Sequence, residues 1–483
     1  MTNAAKSKET VLVWFREDFR TADNAALTEA AGHDAVVPLY IREMHPRTRK
    51  RGAARNWWLH QSLEDLAASL KRLGAPLILA TGDPYVVLGD IARQSGAIVI
   101  VWNDRPAGPD SETDRDLAER LLQDGLEVRT FPGALLHDPD KLQTGSGNFY
   151  KVFTPFWRAL ESSLQERDPL PAPGKLSPAN TDLESESLSD WKLLPSGPDW
   201  AGGLHHTWTP GESGARERLD AFLSEGISGY AHKRDRPDGD HTSCLSPHLA
   251  AGEITPAQIF RAMRDNTGTG SNEDRAVFRK EIGWREFCWH LLAHRPKLDS
   301  ENFDGRFDDF PWIADSGDLS AWKTGMTGYP IVDAGMRQLW QTGWMHNRVR
   351  MIVASFLTKH LLIHWSEGER WFWDTLVDAD PANNPANWQW VAGCGADAAP
   401  YFRIFNPIIQ GEKFDPEGAY VRTYVPEIAD LPDKYIHHPW DAPEETLDEA
   451  GIELGRTYPK PIVDHKDARE RALSAFSTIK EDA

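Results

Sequence analysis

Along residues 11–131, short apolar runs alternate with amphipathic stretches. VLVWF (11–15), AVVPLYI (35–41), PLILA (76–80), AIVIVW (97–102) and LEVRTF (126–131) have the length and the β-branched and aromatic content of buried strands. Between them, residues 53–73, 85–94 and 110–122 carry helical spacing. Strand and helix alternating at this interval predict a doubly wound parallel sheet with helices on both faces. No GxGxxG follows the first strand, so the usual dinucleotide fingerprint is missing.

Residues 168–200 then carry six prolines among Ser, Gly and Asp. Such a stretch buries too little apolar area to form a domain, and a long surface linker is expected. From about Ser213 onward the pattern turns helical. ARERLDAFL, TPAQIFRAMR, AVFRKEIGWREFCWHLLAH, DAGMRQLWQTGWMHNRVRMIVASFLTKHLLIHW and ERWFWDTLV all follow the 3.6-residue period, separated by Gly, Pro or Asp turns. The expected architecture is an α/β domain over 1–135, a linker over 136–205 and an all-helical domain over 206–483.

Length agrees, since 483 residues exceed what one hydrophobic core spans. With 40% hydrophobic residues and a mean hydropathy of −0.52, the composition is that of a soluble protein. MTNAAKSKET is not followed by the apolar run of a signal peptide, and no window is long enough to span a bilayer, so a cytoplasmic protein is expected. Three distant cysteines (Cys244, Cys288, Cys394) argue against a disulfide framework or a zinc site, and are too few for a four-cysteine iron–sulfur cluster. No metal is expected. The formal charge of −20 weighs at first against nucleic acid. It is uneven, however: acids crowd 110–127 and 180–190, while Arg275, Arg279, Lys280 and Arg285, then Arg348, Arg350, Arg403 and Lys413, gather positive charge. A basic face on an acidic protein stays open.

The most unusual stretch is Trp365 to Asn406, with five tryptophans, Asp378-x-Asp380 and the pair Asn383–Asn384. Eleven of the chain's twenty tryptophans fall between Trp284 and Trp390. Leu, Ile and Val fill a core without an indole N–H that needs a partner when buried. Any one of these tryptophans is adequately explained as packing. The set, joined to Asp-x-Asp and Asn-Asn, points to a site for a large flat ligand or for electron transfer.

Four stretches together resemble the photolyase/cryptochrome family, and within it the bacterial cyclobutane-pyrimidine-dimer photolyases: VWFREDFRTADNAAL (13–27), TGYPIVDAGMRQLWQTGWMHNRVRMIVASFL (327–357), ANNPANWQW (382–390) and GADAAPYFRIFNPIIQGEKFD (395–415). The resemblance covers nearly the whole chain, and TSCLSPHLAAGEITP suggests the class III branch, near plant cryptochromes. It implies a light-driven flavoenzyme that repairs dimers in UV-damaged duplex DNA by electron transfer from excited FADH⁻. An antenna pigment would sit in the α/β domain, with methenyltetrahydrofolate expected and a deazaflavin as the alternative. The protein is expected to act as a monomer.

By the same resemblance, the flavin cavity would draw on Tyr230, Thr242, Ser243, Cys244, Leu245, Ser246, Phe278, Arg285, Asn347, Arg350, Asp378, Ala379, Asp380 and Asn384. Hydroxyls and N–H groups of TSCLSP suit a diphosphate, although Ser246 before Pro247 also reads as an ordinary helix N-cap. Arg350 would pair with Asp378 beside the flavin, and Asp380 would contact its sugar region. Asn384 would face flavin N5, where an amide cannot donate a proton as the Asp of plant cryptochromes can; alone it would read as a turn residue before Pro385. Glu281, Trp284, Asn347, Met351 and Trp390 match the dimer pocket, with Glu281 reaching the base edges and the two indoles packing on the fused pyrimidines. Arg234, Glu281, Trp284, Arg285, Asn347, Arg348, Trp390, Gln410 and Lys413 are the candidate DNA contacts. Extrusion of the lesion is cheapened by its weakened pairing and stacking. Trp388, Trp365 and Trp312 match an electron relay to the flavin, and Trp340, Trp344, Trp371 and Trp373 are candidates for a second branch.

The (6-4) photolyases place histidines where this chain has Asn347 and Met351, which excludes that reading. A cryptochrome-like photoreceptor is the rival. It would keep the same flavin and tryptophans, but the pocket residues favour the enzyme. An unrelated flavin electron-transfer protein would require the long matches to be accidental.

Overall fold

The computed structural model describes residues 9–44, 49–133, 135–180, 182–266, 268–314, 317–398 and 402–480. Residues 399–401, within the 395–415 stretch, lie outside them. The five expected strands form one parallel sheet: β1 (Thr10–Phe15), β2 (Ala35–Glu43), β3 (Ile78–Gly82), β4 (Ala97–Asn103) and β5 (Glu127–Phe131), in the order β3-β2-β1-β4-β5. Side chains alternate across it. Val11, Val13 and Phe15 face the core under the helix Ala53–Leu73, while Leu12 and Trp14 face the helices Pro84–Ser95 and Pro109–Gln123.

The proline-rich stretch differs from a free surface linker. Leu176 donates its N–H to Leu73 O at 2.7 Å, and Val36 donates to Ser177 O at 2.8 Å. Gly74 (φ 106°) makes that approach feasible, because a Cβ there would lie 2.7 Å from Leu176 O. Trp191 is buried against Tyr40, ring centroids 5.8 Å apart. The prolines keep the strand extended, and isolated apolar residues staple it to the sheet.

Upstream of it, residues 153–163 form a helix that buries Phe153, Phe156, Trp157 and Leu160 against the long helix Asn272–His294. Gly283 allows this contact, since a Cβ would lie 2.3 Å from the Trp157 ring.

The second half is helical as expected, with capping boxes at Thr255 and Ser271 fixing two helix starts. The single periodic run 333–365 is broken, however. Pro330–Thr342 ends at Gly343 (φ 66°), Asn347–Ser355 begins with the His346 side chain accepting from Arg348 N, and Leu362 (φ 54°) turns the chain before Trp365–Thr375. The core of this half closes around Trp322, Trp365, Phe372 and Trp388. Among the described residues, no helix is long and apolar enough to cross a membrane.

Candidate functional site

Asp378 and Asp380 lie just past the C-terminal end of the helix Trp365–Thr375, and Asn384 opens the helix Asn383–Ala392. Asp378 is buried and accepts from Arg350 at 3.2 and 2.8 Å, a fork that meets its charge, and from Ser246 Oγ at 2.6 Å. Ser246 therefore spends its hydroxyl hydrogen on Asp378. It is the first residue of the short helix Ser246–Ala250 and makes no N-cap, contrary to the simpler expectation. Trp344 Nε1 donates to the same hydroxyl at 3.3 Å.

The TSC turn is pinched at Cys244 (φ 48°), a left-handed conformation in a residue with a Cβ, with Leu245 N bonded to Ser243 Oγ at 3.4 Å. Tyr230 and Phe278 form one aromatic wall with Phe222, at centroid distances of 5.5 Å (Tyr230–Phe278) and 4.6 Å (Phe222–Phe278).

Asp380 accepts from Ala382 N at 2.8 Å and from the Asn383 side chain at 2.8 Å, and burial pushes its carboxyl above the ordinary range while those donors pull it down. Asn384 is 7% exposed and donates both amide hydrogens to Glu369, at 3.0 Å to the carbonyl and 2.7 Å to Oε1. The reverse amide orientation would set its oxygen against two oxygens, so the network fixes Oδ1 pointing away from Glu369.

Glu281 stands on the inner face of Asn272–His294 and pairs with Arg234. Burial pushes its carboxyl upward, and the Arg234 guanidinium opposes the shift. One turn on, Trp284 stacks flat on Phe153, 3.7 Å between centroids and 9° between planes. Phe153 N donates to Asp397 Oδ2 at 3.3 Å, and Trp390 Nε1 donates to Asp397 O at 3.0 Å. Asp397 thus ties the two indole walls together. Asn347 is exposed and Met351 half-buried on the helix Asn347–Ser355. Arg348 is held by Asp235 at 2.6 Å and lies 4.4 Å from the Phe414 ring centre; Arg285 donates to Glu286 at 2.8 Å. Gln410 is half-buried and Lys413 exposed on Pro407–Phe414. Ala379 is buried between the two aspartates.

Trp388 is 3% exposed, Trp365 0% and Trp312 half-buried, so of the three expected relay members only the outermost reaches solvent. His364 bridges Trp312 (5.1 Å) and Trp365 (5.3 Å), while Trp388 rests over Gly368, one turn along from Trp365. Trp340 stacks on Trp371 at 6.0 Å and 3°, and Trp322 meets Trp388 at 6.1 Å. Trp344 instead contacts Trp208 and His346, and Trp373 lies under Arg49.

Sequence reasoning missed Glu369, Phe153 and His364. A glycine inside the helical pattern WSEGERW was a usable signal of close packing at Gly368; Glu369 carried none. Among the described residues, no group of three or more His, Cys, Asp or Glu is placed to hold a metal ion.

The family described as the FAD binding domain of DNA photolyase matches residues 278–478, and that described as DNA photolyase matches 11–174. The chain is 55% identical to a deoxyribodipyrimidine photo-lyase of Agrobacterium fabrum, over 97% of this chain and 98% of the relative. The crystal structure of a bacterial class III photolyase from Agrobacterium tumefaciens superposes with a TM-score of 0.96 at 54% identity, covering 99% of each chain. Cryptochrome-2 of Arabidopsis thaliana is 36% identical, over 99% of this chain and 80% of the relative.

Proposed function

The chain belongs to the photolyase/cryptochrome family and carries its FAD-binding domain, and from that premise we propose a deoxyribodipyrimidine photo-lyase that splits cyclobutane pyrimidine dimers in UV-damaged duplex DNA. The observation that carries the reading is the pair of indoles, Trp284 backed by Phe153 and Trp390 pinned to Asp397, with Glu281 one helical turn from Trp284. The relatives favour repair over photoreception, since the cryptochrome stands at 36% identity against 55% for the photo-lyase.

The donor set suits FAD. Thr242, Ser243 and the N–H groups of the pinched turn would offer hydrogens to a diphosphate, Ser246 would brace Asp378, the Arg350–Asp378 fork would border the ring system, and Asn384 would present its amide oxygen to N5. When bound and reduced, the flavin would supply the one-electron photochemistry that splitting the two inter-base bonds requires. The protein's work is positional. Trp284 and Trp390 hold the fused pyrimidines by stacking and keep water from them. Glu281, kept within a neutralising contact of Arg234, hydrogen-bonds the base edges with Asn347, and Met351 fills the apolar side of the wedge. Arg348, Gln410 and Lys413 receive the DNA backbone.

Trp312, Trp365 and Trp388 carry electrons inward, and the Trp340–Trp371 stack is a candidate second entry. We assign the antenna to the first domain, as methenyltetrahydrofolate ahead of a deazaflavin. In that domain the crevice at the strand-order switch between β1 and β4 is filled by Arg16, Asp114, Arg105 and Glu43, which favours an antenna seat elsewhere. A metal-free cytoplasmic monomer, with domains over 1–135 and 206–483, completes the proposal. Glu281→Ala tests the pocket. Repair quantum yield should fall several-fold with FAD content unchanged; equal yield would remove Glu281 from the active role.

A further inference from the structure

Glu369 is 1% exposed on the helix Trp365–Thr375, and its carboxylate is met from two sides. Asn384 approaches from the flavin side. From the other side comes Arg49, on the segment leading into the first domain's helix Ala53–Leu73, with both terminal nitrogens at 2.8 Å. Arg49 is itself held in place. Its guanidinium lies 3.8 Å from the centre of the Trp373 ring, Trp373 Nε1 donates to Lys50 O at 2.8 Å, and Ala53 N donates to Asp374 Oδ1 at 2.9 Å. Gly52 presses on the Trp373 carbonyl so closely that a Cβ would lie 2.1 Å from it. The approach is therefore a built interface between the two domains.

The order of dependence follows from charge. A carboxylate this deep keeps its place only while an opposite charge meets it. Its Oε1 accepts one amide hydrogen of Asn384 and the Glu369 carbonyl accepts the other, and the amide oxygen must then face away from both. Without Arg49 the carboxylate is free to turn, and the Asn384 amide loses one of the two contacts that fix its orientation.

We propose that Arg49 is a positioning residue: acting through Glu369, it locks Asn384 with its oxygen toward the flavin, so that a side chain of the first domain sets the redox behaviour of a cofactor held by the second. This rests on the reading that Asn384 faces flavin N5. An oxygen there accepts from an N5–H and so favours the reduced cofactor over the oxidised one, which has no hydrogen at N5.

The test uses FAD-loaded protein and reads the flavin directly. Arg49→Gln should keep its FAD, while the photoreduced flavin reoxidises in air roughly 2- to 10-fold faster, the loss of one modest hydrogen bond. The light-induced infrared difference band of the Asn384 carbonyl, identified by its disappearance in Asn384→Asp, should shift. Glu369→Gln should reproduce both effects, and Arg49→Lys, which keeps the charge without the fork, should fall between and serves if Arg49→Gln does not fold. Unchanged reoxidation and an unchanged band in the Arg49 variants, alongside clear changes in Asn384→Asp, would overturn the inference. No change in Asn384→Asp either would overturn the reading of Asn384 itself, and the inference with it.

Discussion

Glu281, Asp378 and Glu369 are three carboxylates drawn out of open water within one region, and each is met by its own arginine: Arg234, Arg350 and Arg49. The partner decides the role. Arg350 grips Asp378 from both nitrogens and leaves it fixed, whereas Arg234 reaches Glu281 through one, with Glu281 still partly open to the cavity. Of these pairs, Arg350–Asp378 is within reach of sequence reasoning through the family resemblance. Arg49–Glu369 is not, because 320 residues separate its members and neither lies in a patterned motif. The proposed relay is also set residue by residue. Trp365 is wholly buried, and Asn302 Oδ1 accepts from its Nε1 at 2.7 Å, which fixes the ring in its place. Trp365→Phe removes the oxidisable indole while keeping a ring. Photoreduction of oxidised flavin should slow by at least tenfold, with repair by already reduced enzyme unchanged; equal loss of both would contradict the relay.

Elements place these residues more tightly than their periodicity announces. The helix Trp365–Thr375 presents Trp365 and Gly368 one turn apart, and the Trp388 ring occupies the space where Gly368 lacks a side chain. Gly368→Ala would put a Cβ 2.1 Å from that ring. Overpacking of this kind costs about 1–3 kcal/mol, so thermal unfolding should move down and flavin photoreduction should slow together. A variant as stable and as fast as the parent would show that the ring can yield.

The strands and the helix Ala53–Leu73 were legible because their periods of 2 and 3.6 residues survive burial on a sheet. The 333–365 run was misleading, since its period continues across Gly343 and Leu362 although the backbone reverses hand at both. The staples at Leu176 and Trp191 escaped because their apolar residues are few and their partners distant in sequence, whereas the helix 153–163 carried a readable helical stripe in Phe153, Phe156, Trp157 and Leu160 that the linker reading passed over.

At the scale of the molecule, four histidines are buried and kept neutral by desolvation: His290 and His360 pushed down to about 3, His346 and His437 to about 4. A folded value below the unfolded one of about 6.5 means that the unfolded chain binds the extra proton. The stabilisation is therefore complete above pH ~6.5 and is lost as pH falls toward the folded values. His360 hydrogen-bonds His465 at 2.8 Å, at the start of the C-terminal helix His465–Ser477, whose Phe476 stacks on Phe402 at 4.4 Å. The unfolding temperature should fall steadily from pH 6.5 to pH 4, and His360→Asn should fall less over that interval. An unchanged slope would remove this contact from the acid response.

A chain of charge −20 must also meet DNA through a local face. Arg234 and Arg348 are both bound to acids, Glu281 and Asp235, which restrains their net pull on phosphate, so the proposed pocket leaves much of the recognition to Trp284 and Trp390.

The central claim is light-driven repair. Its direct measurement is the loss of thymine dimers from UV-irradiated duplex DNA incubated with photoreduced, FAD-loaded protein under blue light, beside the same mixture kept dark. Dimers should disappear in the light and persist in the dark. Flavin that photoreduces normally while dimers persist in the light would contradict the account and leave photoreception as the function of this fold.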